Sequence, residues 1–236
     1  MAVRLLEIIL LSAHWLLSYA YVPPAPKLIT FWGQNSAFKT IGRTEKSLAL
    51  MCNDKSPYQT IVIGYVSRFF DERNKDSLPG MGFSFHCTKG TDESHPALLY
   101  CPRIANDIRF CHEHERKILI GIGGPNAPSK FESPNHAEKF AKTIWHLFLD
   151  GDDMPDLRPF GSVKLDGINL YMDDQDSQYV DIFLQTLHSL RKTVTDRNYL
   201  LTVSPSCMFP DPYFGPGPKT VLDSSINIID QVGPFL

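Results

Sequence analysis

Short apolar runs alternate along this chain with stretches whose apolar residues recur at helical spacing. Residues 28–32 (LITFW) are apolar and β-branched and stop at Gly33-Gln34-Asn35, which predicts a buried strand and a turn. Residues 44–51 (TEKSLALM) have helical composition, with Thr44 as N-cap. A second strand is predicted over 60–66 (TIVIGYV), then a long polar loop over 71–100. Residues 101–115 read as helix, because Ile104, Ile108 and Cys111 face one way. A third strand, 117–122 (KILIGI), ends at Gly123-Gly124-Pro125. Residues 134–149 follow as an amphipathic helix with Ala137, Phe140, Ala141, Ile144, Trp145 and Phe148 on its stripe. Beyond an acidic loop (150–158), a strand is expected at 163–172 and a helix at 179–195, where Val180, Phe183, Leu184, Leu187 and Leu190 share a side. Strands at 199–204 (YLLTVS) and 226–230 (INIID) close the series, with a helical turn around 219–223 between them.

Strands alternating with helices imply a parallel sheet, since each right-handed crossover needs a covering helix. The strands are short and several end in Gly, Pro or polar residues. That pattern predicts an α/β fold of (β/α)8 TIM-barrel type, with site residues at the C-terminal strand ends. An open doubly wound sheet is the runner-up.

The N-terminal residues change the picture of where the chain works. Arg4, a largely apolar stretch over 5–17 and Ser18-Tyr19-Ala20 read as a signal peptide over residues 1–20. Prolines make residues 21–27 an extended linker, which leaves 28–236 for the barrel. A signal peptide implies secretion and an oxidising compartment, in which cysteines pair. There are five, Cys52, Cys87, Cys101, Cys111 and Cys207, so one is left over. No run is apolar enough to predict a membrane span, and a net charge of −3 gives no reason to expect nucleic acid or an anionic membrane as partner. No Asn-x-Ser/Thr acceptor occurs.

The stretch with most chemical content is residues 165–173, LDGINLYMD. It resembles the D-G-x-D-x-D-x-E signature of family 18 glycoside hydrolases. Residues 29–35 (ITFWGQN), 117–124 and 199–210 (YLLTVSPSCMFP) resemble further segments of the plant- and fungal-type class III chitinases of that family, in the same order. The resemblance covers residues 28–232, nearly the whole mature chain. It implies an eight-stranded barrel, of which six βα units are found here. A fragment or shortened chain is the favoured explanation, with a partner covering the open edges as the other. It also implies disulfides Cys52–Cys111 and Cys87–Cys101, and an unpaired Cys207 whose family partner falls just beyond the sixth strand.

Enzymes of this family retain stereochemistry and use the substrate's own N-acetyl group as nucleophile. A glutamic acid protonates the leaving oxygen, and aspartates two residues apart on the strand face the same way and support it. Transferred residue by residue, the catalytic positions are Asn169, Tyr171 and Asp173, with Asp166 before them orienting the strand backbone. Phe31, Gly124 and Gln231 fall at substrate-binding positions. Phe31 stands for a tyrosine and Gly233 for the tyrosine that holds the acetamido oxygen. Asp173 keeps a carboxyl group but ends roughly 1–1.5 Å short, and a misplacement of about 1 Å costs on the order of 100-fold. Tyr171 supplies no negative charge. The expectation is therefore a secreted chitinase-like protein that hydrolyses or binds chitin or another N-acetylglucosamine glycan, with activity weak or lost. The alternative is an inactive lectin-like or inhibitor-type relative with a protein partner. No cofactor and no metal are implied. Phe31, Tyr65 and Tyr171 are candidates to stack on sugar rings.

Other motifs are weaker. Tyr171-Met172-Asp173-Asp174 spells the turn of reverse transcriptases, but a helix follows it and the chain is acidic. His112-Glu113-His114-Glu115 is not H-E-x-x-H and reads as a solvated helix end. The aspartates of 150–156 lack EF-hand spacing. Gly121-Ile122-Gly123-Gly124 is no dinucleotide fingerprint, and no Gly-x-Ser-x-Gly elbow is found.

Overall fold

A computed structural model describes residues 28–125, 127, 130–172, 177–206, 208, 210, 211, 214, 215 and 220–233. The signal peptide and linker expected over 1–27, Asp173 and Cys207 lie outside the described residues.

Seven strands form one sheet: β1 (Leu28–Trp32), β2 (Tyr58–Arg68), β3 (Gly80–Met81), β4 (Lys117–Gly123), β5 (Gly167–Tyr171), β6 (Leu200–Val203) and β7 (Gln231–Val232). Their order is β1-β2-β4-β5-β6-β7, all parallel, with β3 antiparallel on β2. The helices are α1 (Ser36–Ile41), α2 (Leu48–Met51), α3 (Pro102–Glu113), α4 (Pro134–Phe148), α5 (Val180–Arg191) and α6 (Val221–Ser225). The result is an incomplete (β/α) barrel with six parallel strands among the described residues. No described helix is long and apolar enough to cross a membrane.

Alternation along the strands divides core from site. Ile61, Ile63, Ile118, Ile120, Ile168, Leu170, Leu201 and Val203 are buried and join one cluster with Ile108, Ile144, Phe148 and Phe183 of the helices. Phe69, just after β2, stacks on Phe140 at 4.3 Å and meets Phe131 at 4.8 Å. Each fully buried side chain of this kind stabilises by roughly 1.5–3 kcal/mol. Two disulfides, Cys52–Cys111 and Cys87–Cys101, tie the end of α2 to α3 and close the loop before α3.

The C-terminus of α4 is held by a buried arginine. Arg158 donates from Nε to Gly161 O (2.9 Å), from Nη1 to His146 O (2.5 Å) and Gly151 O (3.1 Å), and from Nη2 to Leu149 O (3.0 Å) and Val163 O (3.4 Å). Burial lowers its pKa, yet a guanidinium meets carbonyls left open where a helix ends. Arg158→Met keeps the volume and leaves those carbonyls unpaired. It should lower the unfolding free energy by about 2–3 kcal/mol, read from the midpoint of urea unfolding.

Four expectations need correction. The helix expected over 44–51 with Thr44 as cap is only α2, entered at Ser47 in extended conformation. Glu45 is drawn off to the turn after β1, where its N–H donates to Asn35 Oδ1 at 2.7 Å. Helix α1 was not predicted, because its apolar residues Phe38 and Ile41 point to solvent at 56% and 63% exposure and make no inward stripe. The loop over 71–100 contains β3 and two short 3₁₀ turns, Lys75–Ser77 and Ser84–His86. Buried Asn74 organises it, donating to Leu78 O and Pro79 O at 3.0 Å and accepting from Ala97 N at 2.9 Å. Finally, 226–230 is not a strand. Ile226–Ile228 is a 3₁₀ turn and the sheet is joined at Gln231–Val232. Arg191 accounts for this by pairing with Asp230 and donating to Ile228 O at 2.9 Å, which holds the segment against α5.

Candidate active site

Within the sheet the parallel strands bring one row into register: Gly121 of β4, Asn169 of β5, Thr202 of β6 and Gln231 of β7. Two residues further along, at the C-terminal ends of β4 and β5, Gly123 pairs with Tyr171. Asn169 is 1% exposed; its Nδ2 donates to Thr202 Oγ1 at 2.8 Å and its Oδ1 accepts from Ser204 Oγ at 3.1 Å. Thr202 Oγ1 in turn donates to Ile168 O at 3.1 Å. The amide is thus held inside the sheet by one donated and one accepted hydrogen bond. Gln231 is half-buried, and its Oε1 is buried without a hydrogen-bond partner among the described residues.

Tyr171 is partly exposed at the end of β5, where its carbonyl accepts from Gly124 N at 3.0 Å. Beside it lies Tyr65 of β2, whose hydroxyl is pushed up in pKa by burial and then by the Tyr171 phenol. The Tyr65 ring lies where side chains of β4 and of the residue after it would stand: a Cβ on Gly121 would come within 2.6 Å of it, and one on Gly124 within 2.8 Å. Gly124 also has φ +106°, which only glycine adopts easily. Phe31 of β1 stacks on Tyr65 with ring centroids 6.5 Å apart. Phe31 and Tyr171 are thus part-exposed on either side of Tyr65, which is itself buried at 5% exposure. At the position of Gly233 a Cβ would meet nothing within 4 Å.

The turn after β1 is tied to this wall by residues to which sequence reasoning assigned no role. Gln34 Nε2 donates to Gly64 O, next to Tyr65, and to Gly82 O at 3.0 Å. Glu45 Oε2 accepts from Gly33 N (3.0 Å), Asn35 N (3.1 Å) and His86 Nε2 (3.0 Å). His86 in turn packs on Trp32 at 4.3 Å between ring centroids.

Asp166 is not in this group. It sits before β5, at the opposite end of the strand, and is 2% exposed. It accepts from His112 Nε2 (2.9 Å), Ile118 N (2.8 Å), Lys117 Nζ (3.1 Å) and Arg197 Nη2 (3.2 Å). Burial pushes its pKa up, but these donors outweigh that and hold it at about 2. His112 is thus no free helix end: it reaches back to β5, and nothing local in the sequence signals that contact.

Where α4 meets the acidic loop, His146, Asp152 and Asp153 bring ligand atoms within 4.8 Å of one another. His146 Nδ1 accepts from Asp153 N at 3.3 Å, which leaves the ring proton on Nε2, 3.2 Å from the Asp153 carboxylate.

Comparison with known proteins agrees with the geometry. The model of the glycosyl hydrolases family 18 matches residues 27–229. Chitinase 1 of Rhizopus niveus is 29% identical over 214 residues, covering 91% of this chain and 38% of its own. Among solved structures, the xylanase and α-amylase inhibitor protein of Scadoxus multiflorus superposes with a TM-score of 0.68 at 26% identity, over 88% of this chain and 65% of its own. A chitinase of Ipomoea carnea gives 0.66 at 27% identity, over 86% and 65%. The chain thus spans less than two thirds of the length of each.

Proposed function

Because this chain belongs to the glycosyl hydrolases family 18, we propose that its cleft binds chitin or another N-acetylglucosamine-containing glycan and hydrolyses it weakly or not at all. The carrying observation is the end of β5, where Asn169 has its amide engaged by Thr202 and Ser204 and Tyr171 stands beside Tyr65. An acid mechanism needs carboxylates at those two positions to tune a proton donor. An amide and a phenol carry no charge at neutral pH. The part-exposed rings of Phe31 and Tyr171 instead offer apolar faces to the CH surfaces of sugar rings, with Tyr65, 5% exposed, packed behind them. Among positions 169, 171 and 173 only Asp173 is an acid, shortened by one methylene, and any residual rate runs through it.

The experiment is an N-acetylglucosamine tetramer offered to the full chain, with binding followed by calorimetry and products by chromatography. Binding should be measurable, and cleavage should stay at least about 100-fold below that of an intact family enzyme. Fast cleavage that Asp173→Asn abolishes would overturn this reading.

A second reading is favoured by the likeness to the xylanase and α-amylase inhibitor protein. In it, the same barrel presents a surface to another protein. Titration of the chain into xylanase and into α-amylase should then reduce their rates stoichiometrically. Unchanged rates leave glycan binding alone. Secretion fits both readings, since the two disulfides suit an oxidising compartment. Mass spectrometry of the secreted product should find a chain beginning at Tyr21.

A further inference from the structure

We propose that a second sugar site lies on the rim of the C-terminal face, between the segment leaving β2 and the segment entering α4, and that it holds one or two pyranose units of a neutral polysaccharide. A cleft of about 420 Å³ opens there. That volume is within the roughly 300–1,000 Å³ of small-ligand sites. Its apolar wall is Phe70, half-buried, with ring centroids 4.9 Å from His136 and 5.9 Å from Phe140. Phe69 beneath it is locked between Phe140 and Phe131, and α4 is capped by Ser133, whose Oγ accepts from His136 N at 3.2 Å. The floor is therefore set before any ligand arrives, which reduces the ordering cost of binding.

The rim decides the ligand class. Glu72, Glu132, Lys130 and Lys139 line it, two of each charge, and all four are exposed. Such a rim is near neutral, so it favours neither a phosphate nor a metal cation. It suits hydroxyls, which donate to carboxylates and accept from ammonium groups. His136 Nδ1 is buried with no hydrogen bond, and the nearest Glu132 oxygen is 3.8 Å away, too far to form one. The cleft thus joins one apolar ring face to a circle of donors and acceptors, and a pyranose has the same division between its CH face and its hydroxyl edge. Strands β2 and β4 run parallel to β5, so this cleft opens on the same end of the barrel as Tyr171. A polymer held in the main cleft can then be gripped a second time at the rim; that consequence rests on the function proposed above.

The test uses the full chain and an N-acetylglucosamine hexamer, with its glucose counterpart as a second probe. Affinity is measured by calorimetry, and the ring-proton signals of His136 are followed by NMR. The hexamer should shift the His136 signals, and the shift should survive in Tyr171→Ala. Phe70→Leu keeps the core apolar but removes the ring face; with Glu72→Gln it should weaken hexamer affinity about tenfold and abolish the shift. A His136 signal unmoved by either sugar at saturating concentration overturns the rim site. So does a hexamer affinity unaffected by both rim substitutions. If instead Tyr171→Ala leaves affinity intact while the rim substitutions remove it, the rim site stands and the proposal for the main cleft fails.

Discussion

Asp166→Asn should lower the unfolding free energy by about 3–5 kcal/mol, although the substituted residue touches no sugar in either proposed site. The carboxylate is 2% exposed and gathers donors from three directions: His112 from α3, Lys117 and the Ile118 amide from β4, and Arg197 from the segment before β6. Its own backbone joins the same strands, with Asp166 N donating to Ile118 O and Leu200 N donating to Asp166 O, each at 2.8 Å. An amide in its place turns an NH₂ toward some of those donors and leaves positive charge facing a buried site. The pH profile separates this from a loss of packing. The folded pKa, about 2, lies below the ordinary 3.8, so the carboxylate contributes stability that is fully present above pH 4 and is lost as pH falls through 2. The shift corresponds to about 2 kcal/mol. Urea midpoints measured from pH 6 down to pH 2 should fall less steeply in Asp166→Asn than in the native chain. Parallel profiles would show that the charge is not what matters.

Replacing both Cys52 and Cys111 by alanine should cost about 4 kcal/mol, because the bond closes a loop of 59 residues in the unfolded chain. Cys87 and Cys101, separated by 14 residues, should cost about 3 kcal/mol when removed in the same way. The longer bridge also fastens α2, a single turn, to α3, and both of its cysteines are wholly buried. Urea unfolding of the two double variants, with the slope compared as well as the midpoint, checks the order. The Cys52/Cys111 variant should also show the steeper slope, since its unfolded chain opens further. An equal loss in both variants would place the stabilisation in local packing and not in loop closure.

Much of the barrel was legible because its signals are periodic. The stripes on α3 and α4, from Ile104 to Phe148, are buried as their spacing required. The misplaced elements are those where one polar side chain outweighs local pattern. Arg191 decides where the last strand begins, and Glu45 decides where α2 does not begin. Arg191 acts across 37 residues and Glu45 across 10, in both cases through a polar contact that apolar periodicity does not record. The site was legible in part for a related reason. Strand alternation placed Asn169 and Tyr171, and the structure puts Asn169 in the inward row. Alternation does not reveal that Gly121 and Gly124 are vacant so that Tyr65, from a different strand, can lie across them. A glycine records that room is needed and not what fills it.

Asp166 and Tyr171 stand at the two ends of one strand, five residues apart, or about 17 Å along an extended chain. Substitution at one end is too distant to disturb the charges at the other. Residues at the Tyr171 tip can therefore be changed without touching the ion-pair cluster that holds the other end of the strand. The same separation gives a protein engineer two independent handles, one for endurance and one for recognition, within a single five-residue strand and its flank.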